Sequence, residues 1–316
     1  MKNRKAFITG ISSTSLKKIE INFLKKNMPW GVILFSRNII NFSQTKKLIH
    51  QIKSCFHDKN YPILIDEEGG KVSRLKKIID TSIFSSRFFG KLFLKNKKNF
   101  YYQYKIYINT ISKILNDLGI NINTVPVLDV VRKKTNKIIK DRAFSNRVKI
   151  VSKLGDYCIQ LYSKNKIGTV IKHVPGHGLS TKDSHFTTPV VREKKRILEK
   201  IDFLAFKNKE SLFAMTAHII YSKYDPINTA TQSKIIINNI IRKKLNFKNL
   251  LISDDISMKA LKYSLEENVT KSLEAGCNLI LHCNGNIDEM NVIAKNVPII
   301  DDFIIKKTSQ FYKFIM

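Results

Sequence analysis

The chain has 316 residues, of which 43% are hydrophobic, and a formal net charge of +31 at pH 7. A chain of this length buries roughly three quarters of its unfolded surface, so the fold requires neither a disulfide nor a structural metal. The four cysteines form no CxxC pair, and no run approaches the roughly 18 apolar residues of a membrane span. The N-terminal apolar run is too short for a secretory signal, and we predict a cytoplasmic protein with reduced thiols and no cofactor.

The positive charge is spread along the whole chain. Lysines occur in stretches such as LKKIEINFLKK and IIRKKLNFK, and no RNP motif, zinc finger or recognition helix accompanies them. We therefore expect salt-sensitive adhesion to polyanions but no specific binding of nucleic acid. A basic polyanion-binding protein without catalysis is an alternative, and it predicts one electropositive face.

Short apolar runs of strand length alternate with longer amphipathic stretches from one end of the chain to the other. The runs predicted as strands lie at 5–11, 31–35, 61–66, 122–130, 168–174, 213–220, 249–255 and 277–283. Helical periodicity marks stretches at 15–27, 43–56, 148–165, 193–208 and 232–245. Nearly continuous apolar strands separated by helices are typical of a parallel sheet that is covered on its faces.

Eight such units predict a single α/β domain over 1–316, a (β/α)8 TIM-type barrel. No glycine-rich dinucleotide fingerprint follows the first strand, which disfavours a doubly wound nucleotide-binding fold. In such barrels the functional site lies where the strands end. The polar residues at the predicted strand ends are Asp66, Asp129, Lys172, His173, His218, Asp254 and Asp255.

The stretch KHVPGHGLSTKDSH at 172–185 contains three of the seven histidines. A zinc site would use His173, His177, Asp183 and His185, but their spacing matches no familiar metal pattern. A second alternative is a polar loop whose histidines only satisfy backbone groups. The sharper hypothesis is a proton-transfer pair, because Asp183 beside His185 would fix the imidazole tautomer and favour its protonated form.

Two further stretches carry candidate polar residues. In LLISDDISM, Asp254 ends a strand and is a candidate nucleophile toward an electrophilic carbon, whereas Ser-Asp-Asp acting as the N-cap of a following helix is the alternative. In LIDEEGGKVSRL, Asp66 and Arg74 suit the hydroxyls of a sugar through charge-assisted hydrogen bonds, and DRAF supplies a second arginine, Arg142.

The ordered set IDEEGGKVSRL, PVLDV, DRAF, KHVPGHG, DSH, MTAH, SDDISM and AGCNLIL resembles family 3 glycoside hydrolases over about residues 31–285. Within that family the chain is similar to the short bacterial β-N-acetylglucosaminidases of peptidoglycan recycling. The resemblance implies Asp254 as nucleophile, His185 as acid/base and Asp183 as its orienting partner. It also implies a group of residues that hold the terminal sugar: Asp66, Arg74, Arg142, Lys172 and His173.

These observations predict a retaining exo-β-N-acetylhexosaminidase that releases terminal non-reducing N-acetylglucosamine, with muropeptides as substrates. We expect a monomer that needs no metal. The alternatives are a β-glycosidase or N-acetylglucosaminide phosphorylase of the same family, and a metal-dependent barrel hydrolase. Phosphorolysis is chemically reasonable because a neutral imidazole base does not repel phosphate as a carboxylate would.

Overall fold

Eight parallel strands close into a barrel in the computed structural model, which describes residues 1–181, 184 and 186–316. The strands are β1 Lys5–Thr9, β2 Pro29–Leu34, β3 Ile63–Ile65, β4 Ile122–Asn123, β5 Gly168–Val174, β6 Phe213–Thr216, β7 Leu250–Asp255 and β8 Leu279–His282. Each strand pairs with the next in the chain, and β8 pairs with β1 through Phe7 and Ile280. The predicted (β/α)8 barrel is confirmed.

Helices surround the barrel. The longer α-helices are Lys18–Asn27, Phe42–Ser54, Ser86–Lys95, Lys97–Leu118, Val148–Lys164, Leu265–Ala275, Ile287–Asn296 and Asp302–Ile315. Shorter or irregular helical segments are Ser36–Asn38, Lys137–Lys140, Lys195–Ile197, Leu198–Asp202, Phe203–Phe206, Ala230–Gln232 and Ile236–Lys244, of which Leu198–Asp202 and Ile236–Lys244 are π-helical. Among the described helices, none is both long and apolar enough to cross a membrane.

The inside of the barrel is filled with apolar side chains and is covered at its N-terminal end. Trp30 and Phe213 pack edge to face, with ring centroids 5.6 Å apart. Phe311 from the helix Asp302–Ile315 packs against Phe213 at 5.4 Å, and the Trp30 Nε1–H donates to Thr308 Oγ1 at 2.8 Å. Because this helix covers the N-terminal end, the polar residues at the strand ends face the opposite opening.

Two predicted strands were too long by four or more residues. The run 122–130 forms a ladder only over Ile122–Asn123, because the Val125 N–H turns back to donate to the Asn123 carbonyl at 2.9 Å, just before Pro126. The segment nevertheless stays beside β5, since the Leu128 N–H donates to the Lys172 carbonyl at 2.8 Å. The run 213–220 ends at Thr216, and Ile220–Tyr221 pairs instead with Val190–Val191 in a separate two-stranded sheet.

Candidate active site

A cavity of about 310 Å³ opens at the C-terminal end of the barrel. Its charged and imidazole-bearing lining residues are Asp66, Arg74, Arg142, Lys172, His173, His177, Asp254 and Asp255. Its apolar lining residues are Ile33, Phe35, Val72, Ile139, Met215, Met258 and Leu281. Side chains from seven of the eight strands or the loops after them therefore meet at one cavity, as the predicted barrel requires.

Asp66, directly after β3, lies at the centre of a charge cluster. Its carboxylate accepts from Arg74 Nη2 at 2.8 Å, from Thr124 Oγ1 at 2.5 Å and from the Lys172 ammonium. Burial opposes ionisation, but Lys172, Arg74 and Arg142 hold the pKa of Asp66 well below its usual range. Asp66 is therefore a fixed anion in the physiological pH range, and its position is set by two cations.

Glu68 joins Lys172 to the third cation, Arg142, and was not predicted from the sequence. Its buried carboxylate accepts from Lys172 Nζ at 2.6 Å and from Arg142 Nε and Nη2, both at 2.8 Å. Burial raises its pKa, but Arg142 and Lys172 lower it below the ordinary value. The available signal was the spacing of Asp66 and Glu68, because residues two apart in an extended segment point to the same side.

The intervening Glu67 points away from this cluster and shapes the next loop. Its carboxylate accepts from the backbone N–H groups of Arg74 at 2.6 Å and Leu75 at 2.9 Å, and from Thr81 Oγ1 at 2.8 Å. Glu67 thus holds the backbone of the loop from which Arg74 reaches Asp66. Of the three acids in DEEGG, Asp66 and Glu68 therefore lie on the side of the charge cluster, and Glu67 lies inside the loop.

His173, at the end of β5, lies between Asp129 and Arg142. Its Nδ1 is 2.8 Å from Asp129 Oδ2, and its Nε2 is 3.3 Å from Arg142 Nη2. A guanidinium only donates, so this contact requires Nε2 to accept and Nδ1–H to donate to Asp129. Burial opposes ionisation of Asp129, but His173 and His177 hold its pKa below the ordinary value. The Asp129 carboxylate therefore fixes the tautomer and orientation of His173.

His177, in the turn after β5, also lines the cavity. Burial and the nearby His173 lower its pKa to about 4, so its ring is neutral near pH 7. Its backbone N–H donates to Asp129 Oδ1 at 2.6 Å, and its Nε2 is 3.3 Å from Ser184 Oγ.

Within the described residues, no group of three or more His, Cys, Asp or Glu side chains is arranged to hold a metal ion. Asp183 and His185 lie outside the described residues, so their roles stay predictions.

The two aspartates that end β7 have different surroundings. Both line the cavity, and Asp254 Oδ1 accepts from the Asp255 N–H at 2.8 Å. Asp255 Oδ1 accepts from Ser257 Oγ at 2.9 Å and from the Cys283 N–H at 3.3 Å, which fixes the turn after the strand. The N-cap interpretation is wrong, because the next helix begins at Leu265 and is capped by Ser264.

His218 does not line the cavity, although it was predicted at the end of a strand. It follows β6, and its Nε2 is 2.9 Å from the Asp255 carbonyl oxygen, while its Nδ1 is 2.7 Å from Thr231 Oγ1. Burial lowers its pKa below the ordinary value, with Asp254 opposing that shift. His218 therefore supports the backbone beside Asp254 from behind.

A (β/α)8 barrel whose strand ends present carboxylates and cations around one open cavity is typical of TIM-barrel enzymes, whose active sites lie at this end of the strands. The chain belongs to glycosyl hydrolase family 3, because the model of the family's N-terminal domain matches residues 9–307. The predicted family and the predicted enzyme class, a glycoside hydrolase similar to the β-hexosaminidases, are confirmed.

Curated relatives and solved structures agree with that membership. A beta-hexosaminidase of Haemophilus ducreyi is 31% identical over 294 residues, covering 90% of this chain and 83% of the relative. A beta-hexosaminidase of Haemophilus influenzae is 32% identical over 286 residues, covering 88% and 79%. The crystal structure of native NagZ from Neisseria gonorrhoeae superimposes with a TM-score of 0.87 at 25% identity, covering 99% of this chain and 90% of that one.

Proposed function

We propose that the chain is a retaining exo-β-N-acetylglucosaminidase that removes terminal non-reducing N-acetylglucosamine by way of a glycosyl ester on Asp254. One observation carries the proposal. The carboxylate-bearing end of β7 and the charge cluster of Asp66, Arg74, Lys172 and Arg142 line the same cavity. A carboxylate nucleophile and a polyol-binding group at one cavity are two requirements for this chemistry, and the third is an acid/base, assigned below to His185.

The charge cluster is suited to hold a pyranose in one orientation. Lys172 is buried, Asp66 and Arg142 are largely buried, and all three are already paired, so their donor and acceptor directions are set before substrate arrives. Preorganised groups do not have to reorganise as charge develops, which is why they stabilise a transition state better than water does. His173, held by Asp129, would add a fourth fixed contact to the sugar hydroxyls.

In the proposed mechanism, Asp254 attacks the anomeric carbon while His185, oriented by Asp183, gives its proton to the glycosidic oxygen. The bond to the aglycone breaks, and the sugar becomes an ester of Asp254. The neutral His185 then takes a proton from water, which attacks the anomeric carbon and releases the sugar with its β configuration. The acid in this scheme is an imidazolium in place of the more common second carboxylic acid.

Similarity to two beta-hexosaminidases and to the beta-N-acetylglucosaminidase of Thermotoga maritima supports N-acetylglucosamine as the sugar. Peptidoglycan-derived muropeptides as substrates, a cytoplasmic location and a monomeric state are further parts of the proposal. They rest on the resemblance described from the sequence.

The test compares hydrolysis of an aryl N-acetyl-β-glucosaminide with that of the matching aryl β-glucoside, each with and without inorganic phosphate. We expect a strong preference for the N-acetyl sugar and free N-acetylglucosamine as product. Accumulation of a sugar 1-phosphate would identify a phosphorylase instead, and preference for the glucoside would identify a different glycosidase. Activity that disappears with a chelator and returns with metal would support the metal-dependent alternative.

The nucleophile has its own test. A 2- or 5-fluoro sugar with a good leaving group should leave its glycosyl group on Asp254, which peptide mass spectrometry would locate. Labelling of another residue would reassign the nucleophile. The Asp254→Ala variant should have no measurable turnover.

A further inference from the structure

The turn of sequence PGHG, Pro175–Gly178, is fixed by contacts on two sides. On one side, the Tyr221 hydroxyl donates to the Gly176 carbonyl at 2.5 Å. On the other, Thr135 Oγ1 donates to the Gly178 carbonyl at 2.5 Å, and a Cβ added at Gly178 would lie 1.9 Å from the Val130 oxygen. The turn is therefore enclosed between the segment after β4 and the elements that follow β5.

An ion pair connects these two sides. Arg132, in the segment after β4, donates from Nη2 to Asp202 Oδ2 at 2.9 Å. Asp202 ends the π-helical segment Leu198–Asp202 and has a side chain only 1% exposed. A Cβ added at Gly176 would lie 3.1 Å from the Asp202 Cβ, so Asp202 is packed directly against the turn.

The pair is poorly suited to stabilise the fold by itself. Asp202 Oδ1 and Arg132 Nε are buried and have no hydrogen-bond partner among the described residues. Burial raises the pKa of Asp202 to about 6, while Arg132 opposes the rise and Asp129 adds to it; Tyr221 is a further titratable group close to this carboxylate. A buried ion pair is often replaceable as a whole by uncharged groups without loss of stability. Its place against the PGHG turn therefore points to a role in positioning neighbouring groups.

We propose that Asp202 and Arg132 are positioning residues whose ion pair sets the place of the PGHG turn, which precedes the predicted acid/base residues Asp183 and His185 in the chain. This inference rests on the proposed function, in which those two residues deliver the proton. Asp202 and Arg132 do not belong to the described residues that line the cavity, so they act through the turn. No other step of the proposed mechanism depends on them.

The experiment measures kcat for a substrate with a poor leaving group, such as a disaccharide, against kcat for an aryl glycoside that needs no proton. At pH 8, Asp202→Asn and Arg132→Gln should each lower the disaccharide rate about tenfold, a part of the roughly 10²–10⁴ that a general acid supplies. The aryl rate should change much less. Arg132→Lys, which keeps the charge, should recover part of the loss. Below pH about 6, where Asp202 takes up a proton, the gap between wild type and Asp202→Asn should close.

The matched control is Asp58→Asn, which removes the carboxylate of another Arg–Asp pair, Arg4–Asp58, at the N-terminal end of the barrel. It should leave the ratio of the two rates unchanged. An equal effect of Asp58→Asn and Asp202→Asn, or a pH-independent loss in Asp202→Asn, would overturn the proposal.

Amide hydrogen exchange of the full chain provides a readout that does not need activity. At pH 8, Asp202→Asn should exchange faster than wild type in peptides covering 131–136 and 174–181, and Asp58→Asn should not. If wild type hydrolyses neither substrate, the proposed function fails, and the exchange result still decides whether the pair holds the turn. Unchanged exchange in both peptides would refute the positioning role.

Discussion

Replacing Glu68 by glutamine tests whether the charge cluster, and not only its shape, holds the sugar. Glu68 accepts three charge-assisted hydrogen bonds from Lys172 and Arg142, at 2.6, 2.8 and 2.8 Å. Glutamine has nearly the same volume but carries no charge, and its amide nitrogen would face a guanidinium that can only donate. The substitution therefore removes the one anion that Lys172 and Arg142 share.

The magnitude follows from those three bonds. A hydrogen bond to a charged group contributes about 1.5–3 kcal/mol and a neutral one about 0.5–1.5 kcal/mol; because the two donors stay charged, each bond loses at most about 1 kcal/mol. Three bonds give at most about 3 kcal/mol, which is within the cost of breaking a buried ion pair from one side. If the whole loss falls on the bound transition state, kcat/KM decreases up to roughly 100-fold.

The assay is kcat/KM for an aryl N-acetyl-β-glucosaminide together with the melting temperature. The neighbouring variant Glu67→Gln is the matched control, because Glu67 is also buried but receives its hydrogen bonds from backbone and hydroxyl groups. We expect a smaller loss of kcat/KM in Glu67→Gln than in Glu68→Gln. A folded Glu68→Gln enzyme with kcat/KM within threefold of wild type would refute the reasoning.

Three further predictions concern proton transfer, the barrel core and pH. His185→Ala should lose roughly 10²–10⁴ of its rate on a poor leaving group and far less on an aryl one, and equal losses would contradict the acid assignment. Phe311→Ala should lower the free energy of unfolding by about 3–5 kcal/mol in denaturant titration, because Phe311 is fully buried against Phe213; a change below 1 kcal/mol would contradict its place at the barrel end. Burial raises the pKa of Asp202 in the folded state to about 6, above its value in the unfolded chain. The stability that comes from this shift is complete below the unfolded pKa and is lost as pH rises through 6. The melting temperature of Asp202→Asn should therefore rise relative to that of wild type from pH 4 to pH 8. A difference in melting temperature that does not change with pH would contradict the raised pKa.

The sequence was sufficient for the order of the fold. All eight strands lie within or next to their predicted runs, because a buried parallel strand needs a short, nearly continuous apolar segment, and that is a local property. The sequence also predicted that Asp66, Lys172 and Asp254 lie at one opening, because the parallel strands of a barrel all end on the same side, and all three line one cavity. The local pattern did not predict the length of a strand such as β4, whose ladder ends at Asn123, before Pro126.

Pairings between distant residues were decided by the tertiary structure. Within DEEGG, Glu67 and Glu68 are chemically identical, yet Glu67 holds the loop of Arg74, and Glu68 joins Arg142 to Lys172, which lies more than a hundred residues further along the chain. Within SDD, Asp255 fixes a turn and accepts a hydrogen bond from the N–H of Cys283, which directly follows β8. Sequence periodicity fixes which side of an element a residue faces, but its partner and its pKa depend on groups that only barrel closure brings within a few ångströms.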